Sequence, residues 1–291
     1  MLMIIVIICN NEIEKGVIVR IWIILISGLM VFSVQAERLV SAGGSITEII
    51  YALGAGEQLV GVDSSSQYPD NVKTLPSIGY YRTLNVEGIL SVEPDTLVLL
   101  DGAGPSAVVQ QLESLGLKIS TVSNPKSISG LVSTIKEVAS IVSKEEQGQV
   151  LVDTLHEQLI RVKQLPSVVG KRAVFLMSAG ERGLVAAGSN TTPQLIFDQL
   201  GVTNPFAALQ GFKSVSAEVI ASEQPDIILL ATHTSHGTSE DALCNGPQLR
   251  LWAGEKGCQL FKVDSLPFLG LTPRLPSAIE QTHQLLVQHA D

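Results

Sequence analysis

Tyr81-Arg82-Thr83-Leu84-Asn85-Val86-Glu87-Gly88-Ile89-Leu90-Ser91-Val92-Glu93-Pro94-Asp95 is answered further along the chain by Phe212-Lys213-Ser214-Val215-Ser216-Ala217-Glu218-Val219-Ile220-Ala221-Ser222-Glu223-Gln224-Pro225-Asp226. The offset is constant at 131 residues from Glu87 to Glu218. With the apolar runs that follow, Thr96–Leu100 and Ile227–Ala231, the match extends without a gap over roughly 20 positions. A period this long does not build a solenoid. It predicts two similar lobes, each large enough for its own core, and a cleft between lobes is a common ligand site.

Around this block the lobes show a common plan. Arg38–Ser41 reads as a strand, followed by Gly43-Gly44-Ser45 and a helix whose Ile46, Ile49, Ile50 and Leu53 share one face, with Gly54 at its end. Leu184–Ala187, Gly188-Ser189 and Leu195, Ile196, Leu200 and Gly201 repeat that design. Further strands are expected at Val60–Val62, Thr96–Leu100, Lys118–Val122, Ala173–Met177, Ile227–Ala231 and Gln259–Val263. Val150–Val162, with Leu151, Leu155 and Leu159 among charges, reads as a long helix that Pro166 follows. The expected fold is therefore α/β: two similar Rossmann-like lobes, 37–141 and 167–291, joined by a single long rigid helix at 142–166, with the ligand cleft between the lobes.

The chain of 291 residues is 45% apolar and 16% charged, which fits a globular protein, and its net charge is −9. No Lys/Arg-rich run is present, so nucleic acid is not an expected partner. Residues 1–36 read as a cleavable signal peptide: Arg20, the apolar Ile21–Phe32, then Val34 and Ala36 at the −3 and −1 positions of a cleavage site before Glu37. Export would leave Cys244 and Cys258 in an oxidising compartment that favours a disulfide, two reduced thiols being the alternative.

Enzyme signatures are thin. The chain carries no phosphate-loop lysine motif, no G-x-S-x-G and no H-E-x-x-H. Comparing the two copies instead isolates Tyr80. Tyr81 and Arg82 become Phe212 and Lys213, but Tyr80 becomes Gly211. A phenolate is a hard anionic donor suited to ferric iron, and Arg82 beside it would favour the ionised form. An ordinary loop aromatic is the other reading. Glu87 and Glu218 each follow an N-cap residue, Asn85 and Ser216, where an acid is favoured by the helix dipole. Matched on two lobes, they also suit a symmetric partner bearing arginines. His233, in Thr232-His233-Thr234-Ser235-His236-Gly237 after a strand end, and Arg182, in Ser178-Ala179-Gly180-Glu181-Arg182 after another, could reach the cleft or lie in polar surface turns.

Leu39-Val40-Ser41-Ala42-Gly43-Gly44-Ser45-Ile46-Thr47-Glu48-Ile49, Gly79-Tyr80-Tyr81-Arg82-Thr83-Leu84-Asn85-Val86-Glu87 and Ala186-Ala187-Gly188 resemble the substrate-binding proteins of bacterial ABC importers for iron chelates and cobalamin. Within that group the chain is most similar to periplasmic haem-binding proteins, over Arg38 to the end. The resemblance implies a non-enzymatic, monomeric periplasmic carrier of ferric haem. Tyr80 would be the axial ligand, with Arg82, Tyr81, Arg182 and His233 around the haem. Glu87 and Glu218 would dock on the permease dimer in the inner membrane. A His stands in the segment Ser178-Ala179-Gly180 of some relatives that hold two haems, so its absence here favours one haem. A ferric siderophore or cobalamin in the same fold is the nearest alternative, and a two-lobed metalloenzyme a more distant one.

Overall fold

The computed structural model describes residues 37–178, 183–231 and 239–289. The signal-peptide reading falls on 1–36, outside the described residues. Among the described residues, no helix is long and apolar enough to cross a membrane.

Strand β1 (Leu39–Ala42) leads into helix α1 (Gly44–Ala52) and strand β2 (Leu59–Val62). Helix α2 (Val86–Leu90), β3 (Thr96–Leu100), α3 (Ser106–Ser114) and β4 (Lys118–Val122) follow. These strands form one parallel sheet in the order β2-β1-β3-β4. The chain then passes through α4 (Ile128–Ile141) and α5 (Glu145–Val162) into β5 (Ala173–Ser178), β6 (Leu184–Ala187), α6 (Thr192–Leu200), β7 (Phe212–Val215), α7 (Ala217–Glu223) and β8 (Ile227–Ala231). It ends with α8 (Glu240–Cys244), α9 (Arg250–Lys256), β9 (Leu260–Val263), α10 (Leu266–Leu269) and α11 (Leu275–His289). The second sheet has the order β7-β6-β5-β8-β9. Its β5, β8 and β9 are parallel, whereas β6 and β7 run antiparallel to their neighbours.

The expected pair of α/β lobes is thus borne out, with a difference between them. Both copies of the repeat contain the same capped helix. The Asn85 side chain accepts from the Gly88 N–H at 2.6 Å, and the Ser216 hydroxyl accepts from the Val219 N–H at 3.3 Å. Both turn next through a residue of positive φ, Glu93 at 47° and Gln224 at 42°. Both then use the aspartate after proline as a lock. Asp95 accepts from the Arg38 N–H at 2.9 Å and Asp226 from the Arg172 N–H at 2.7 Å. The two arginines also reach the carbonyls of Glu93 and Glu223. The repeated Pro-Asp is therefore a structural device that fixes the start of β3 and β8 beside β1 and β5. Upstream the copies part. Phe212–Val215 is strand β7, because β6 offers it an edge to pair with, while Tyr81–Leu84 lies outside any strand. The second sheet is mixed for that reason.

β3 and β8 are buried along their whole length, as parallel strands covered on both faces are. The α1 face expected from its spacing is buried at Ile46, Ile49, Ile50 and Leu53. One apolar core runs through both lobes: Leu39, Ile49 and Val98 from the first, Phe175, Phe197 and Ile279 from the second, and Leu155 and Leu159 of α5 between them. The connecting helix spans Glu145–Val162 and packs on α4 and α11 rather than standing alone. Gly148 lets α4 approach, since a Cβ there would lie 2.6 Å from that of Ala139. Cys244 and Cys258 form a disulfide that ties α8 to the residues leading into β9. A loop of that size contributes about 3 kcal/mol on the chain-entropy account.

Candidate ligand-binding site

In a sheet of order β2-β1-β3-β4 the crossovers diverge between β1 and β3, and ligands bind beyond the carboxyl ends of such strands. Gly43 stands at that point with φ 140°, and a Cβ there would meet the Leu100 side chain at 2.7 Å. Its N–H donates to Asp63 Oδ1 at 3.0 Å. Asp63, next after β2, is 1% exposed and organises this end of the lobe. It accepts from the Ser65 N–H (3.1 Å) and hydroxyl (2.7 Å), the Ser66 hydroxyl (2.9 Å) and the Tyr81 N–H (3.2 Å). A buried carboxylate needs such a set of donors, and here they bind three separate chain segments into one floor.

Tyr80 and Tyr81 rise from that floor. Their rings meet edge-on at 4.9 Å and 72°. Tyr80 is 43% exposed and lines a cavity of about 670 Å³. Gly44, Ser45, Ser64, Ser65, Gln67, Tyr81 and Leu100 complete the wall on the first lobe. Asp264, Ser265, Leu266, Leu269 and Gly270 form the wall on the second. Burial pushes the Tyr80 hydroxyl above the ordinary tyrosine pKa; Tyr81 adds to the shift and Arg82 opposes it. A metal bound there would displace the phenolic proton. Arg82 donates through Nε to the Tyr81 hydroxyl at 2.8 Å, with its guanidinium carbon 5.2 Å from that ring. Its cation is held most directly by Tyr81, the neighbour of the expected ligand.

Across the cleft, Arg274 just before α11 reaches Glu48 of α1. Its Nε donates to Glu48 Oε2 at 3.0 Å, and the second nitrogen lies 2.9 Å from the same oxygen. Its remaining nitrogen donates to Asp264 Oδ2 at 2.6 Å, and the guanidinium lies 3.9 Å over the Tyr68 ring. Burial lowers the Arg274 pKa, but the hydrogen bonds to Glu48 and Asp264 outweigh it and hold the guanidinium above its ordinary value.

Glu87 and Glu218 occupy the first turns of α2 and α7, exposed and topologically equivalent. The Ser216 hydroxyl holds the Glu218 carboxyl below the usual carboxylate range. His233 and Arg182 lie outside the described residues, as does most of the Ser178–Arg182 segment. Among the described residues, no group of three or more His, Cys, Asp or Glu side chains is placed to hold a metal ion. Asp63, Glu48 and Arg274 were not expected from the sequence. The run Asp63-Ser64-Ser65-Ser66 directly after a strand end was the one available signal for the first of them.

The periplasmic binding protein model matches residues 39–254, and so spans both lobes. The chain belongs to the periplasmic binding protein family. This binding protein is similar in structure to the periplasmic heme-binding protein RhuT from Roseiflexus sp. RS-1 in apo form. The two share 31% identity with a TM-score of 0.82, over 88% of this chain and 100% of that one. It is also similar to the periplasmic heme-binding protein HutB of Vibrio cholerae, at 31% identity and a TM-score of 0.76 over 87% of this chain and 99% of the other. In sequence it is 28% identical over 252 residues to the vitamin B12-binding protein of Vibrio cholerae serotype O1, covering 84% of this chain and 87% of that protein. Membership places this binding protein's work in the periplasm and makes ligand capture for transport its role.

Proposed function

We propose that this binding protein carries ferric haem, held in the cleft through Tyr80, and delivers it to an ABC importer in the inner membrane. The observation that carries the reading is Tyr80 itself. It is a phenol present in one lobe only, standing at the carboxyl ends of the strands on the wall of a mostly apolar cavity. The volume of about 670 Å³ is in the range of small-molecule pockets. The similar structures named as heme-binding support the same cargo. A phenolate oxygen would supply a strong bond to Fe³⁺, and Leu100, Leu266 and Leu269 on the cavity wall would offer apolar surface to a macrocycle.

Cobalamin is the second reading, favoured by the relatives named as vitamin B12-binding proteins. Titrating the purified protein with haem, with cyanocobalamin and with a ferric catecholate separates them. The expected result is a saturable haem absorption band at one equivalent and no response to cobalamin. A calorimetric response to cobalamin alone overturns the haem assignment.

Glu87 and Glu218 are proposed as the docking pair for arginines on a permease dimer, one acid per lobe around the approximate twofold. Substituting both by alanine is expected to leave haem binding unchanged and to reduce importer-dependent uptake at least about tenfold. Undiminished uptake would remove these acids from the interface.

A further inference from the structure

Arg274 holds two carboxylates of unlike standing. Its Nε donates to Glu48 Oε2 at 3.0 Å, and another of its nitrogens donates to Asp264 Oδ2 at 2.6 Å. The Glu48 side chain is 2% exposed and that of Asp264 is 55% exposed. The first contact therefore belongs to the interior and bears on folding, whereas the second lies in water and adds little to stability by itself. Its placement gives it another use, because Asp264 lines the cavity beside Tyr80.

Asp264 follows β9 and leads the chain into α10. Its Oδ1 accepts from the Leu266 N–H at 3.1 Å, so one carboxylate oxygen holds the start of α10 while the other holds Arg274. Leu266 and Leu269 of α10 stand on the cavity's second wall. Glu48 belongs to α1, whose first residues Gly44 and Ser45 line the facing wall. The two walls come close together, since a Cβ on Gly44 would lie 3.0 Å from Leu266 Cδ1. A planar guanidinium with donors on different edges fixes both the distance and the angle between the carboxylates it holds. On its other side α10 is anchored in the core, where the Phe268 ring stacks 5.4 Å from that of Phe175. Losing the outer contact would therefore loosen this wall without unfolding it.

We propose that Arg274 is a positioning residue for the ligand cavity. Seated on Glu48 of the first lobe, it fixes Asp264, and through it α10, at a set distance from the wall that carries Tyr80. It thereby governs how long a ligand stays between the walls. The proposal rests on the haem reading only for its probe, since the brace is made of the protein's own side chains. Loosening the wall would shorten the ligand's stay without slowing its arrival, because most changes in affinity fall on dissociation.

The test compares wild type with Asp264→Asn and Arg274→Lys. Asparagine retains an acceptor for the Leu266 N–H, and lysine retains the charge beside Glu48 but lacks the fork that reaches both carboxylates. Ferric haem is expected to leave both variants about three- to tenfold faster, read by stopped-flow transfer to an excess of a haem-scavenging apoprotein, with the association rate unchanged. In the protein without haem, the amides of Leu266, Leu269 and Gly270 should exchange with deuterium faster in Asp264→Asn, at an unchanged urea midpoint. Unchanged dissociation in both variants overturns the positioning role. So does faster haem loss from Asp264→Asn with wild-type exchange, which would make Asp264 a direct contact of the ligand. If Arg274→Lys does not fold, the exchange readout on Asp264→Asn decides, because it involves no ligand. If wild type binds no haem, the haem reading falls; faster exchange in Asp264→Asn would then still support the brace, and wild-type exchange would overturn it too.

Discussion

Arg274→Met is expected to destabilise this protein by about 3–5 kcal/mol, the cost of breaking a buried ion pair from one side. Glu48 is 2% exposed on a helix that is buried from Gly44 to Ile50, and Arg274 is its cation. Glu48 Oε1 accepts no hydrogen bond among the described residues, so the carboxylate has no reserve partner. The pair also joins residues 226 apart in sequence, one on each lobe, and Asp264 and Tyr68 hold the guanidinium in place. Equilibrium urea denaturation measures the loss directly. The double variant Glu48→Gln, Arg274→Met should recover a large part of it, because the stranded charge is gone. A single variant within about 0.5 kcal/mol of wild type would mean that water reaches Glu48 and that the pair behaves as a surface one.

Tyr80→Ala should abolish the iron–tyrosinate absorption of the haem complex and weaken ferric haem by more than about 100-fold, since even changes one shell away from a metal cost about 10–100-fold. Tyr81→Ala should keep the tyrosinate band while weakening binding by about tenfold, because Tyr81 braces Tyr80 and positions Arg82. The phenol's raised pKa adds a sign. Iron must displace a proton that burial holds on, so wild-type affinity should rise with pH through the neutral range, and Tyr80→Ala should lose that slope. If Tyr81→Ala alone removes the band, the ligand is the wrong tyrosine of the pair. If neither does, haem is not bound through this cleft.

Much of the architecture was legible in the residues because the signals are local. Asn85 and Ser216 cap helices through side-chain bonds within three residues. The buried stripe of α1 follows from helical spacing, and the duplicated Pro-Asp marked equivalent places in two lobes. What the repeat could not say is where its own symmetry stops. Tyr81–Leu84 and Phe212–Val215 have the same pattern of residue types, yet only the second becomes a strand, because only there does an antiparallel neighbour lie alongside. The connecting segment, read as one helix over 142–166, is a helix of Glu145–Val162 after a turn from α4.

In the site, Tyr80 was found by its lack of a counterpart, and it does stand on the cleft wall. Asp63 and the Glu48–Arg274 pair were missed for a different reason. Their meaning lies in contacts between segments remote in sequence. Within a window of neighbours, Glu48 is simply an acid in a helix and Arg274 a lone cation before one.

The single core shared by both lobes bears on how this protein gives its cargo up. Lobes joined by a flexible strap can relax open when empty, and the relaxation itself ejects the ligand. Here Phe175, Leu155 and Ile49 belong to one packed interior, and an ion pair bolts the lobes together from the other side. Such a carrier stores no spring. Whatever empties it must wedge the lobes apart and supply that work from outside, so unloading is a property of the receiver rather than of the vessel.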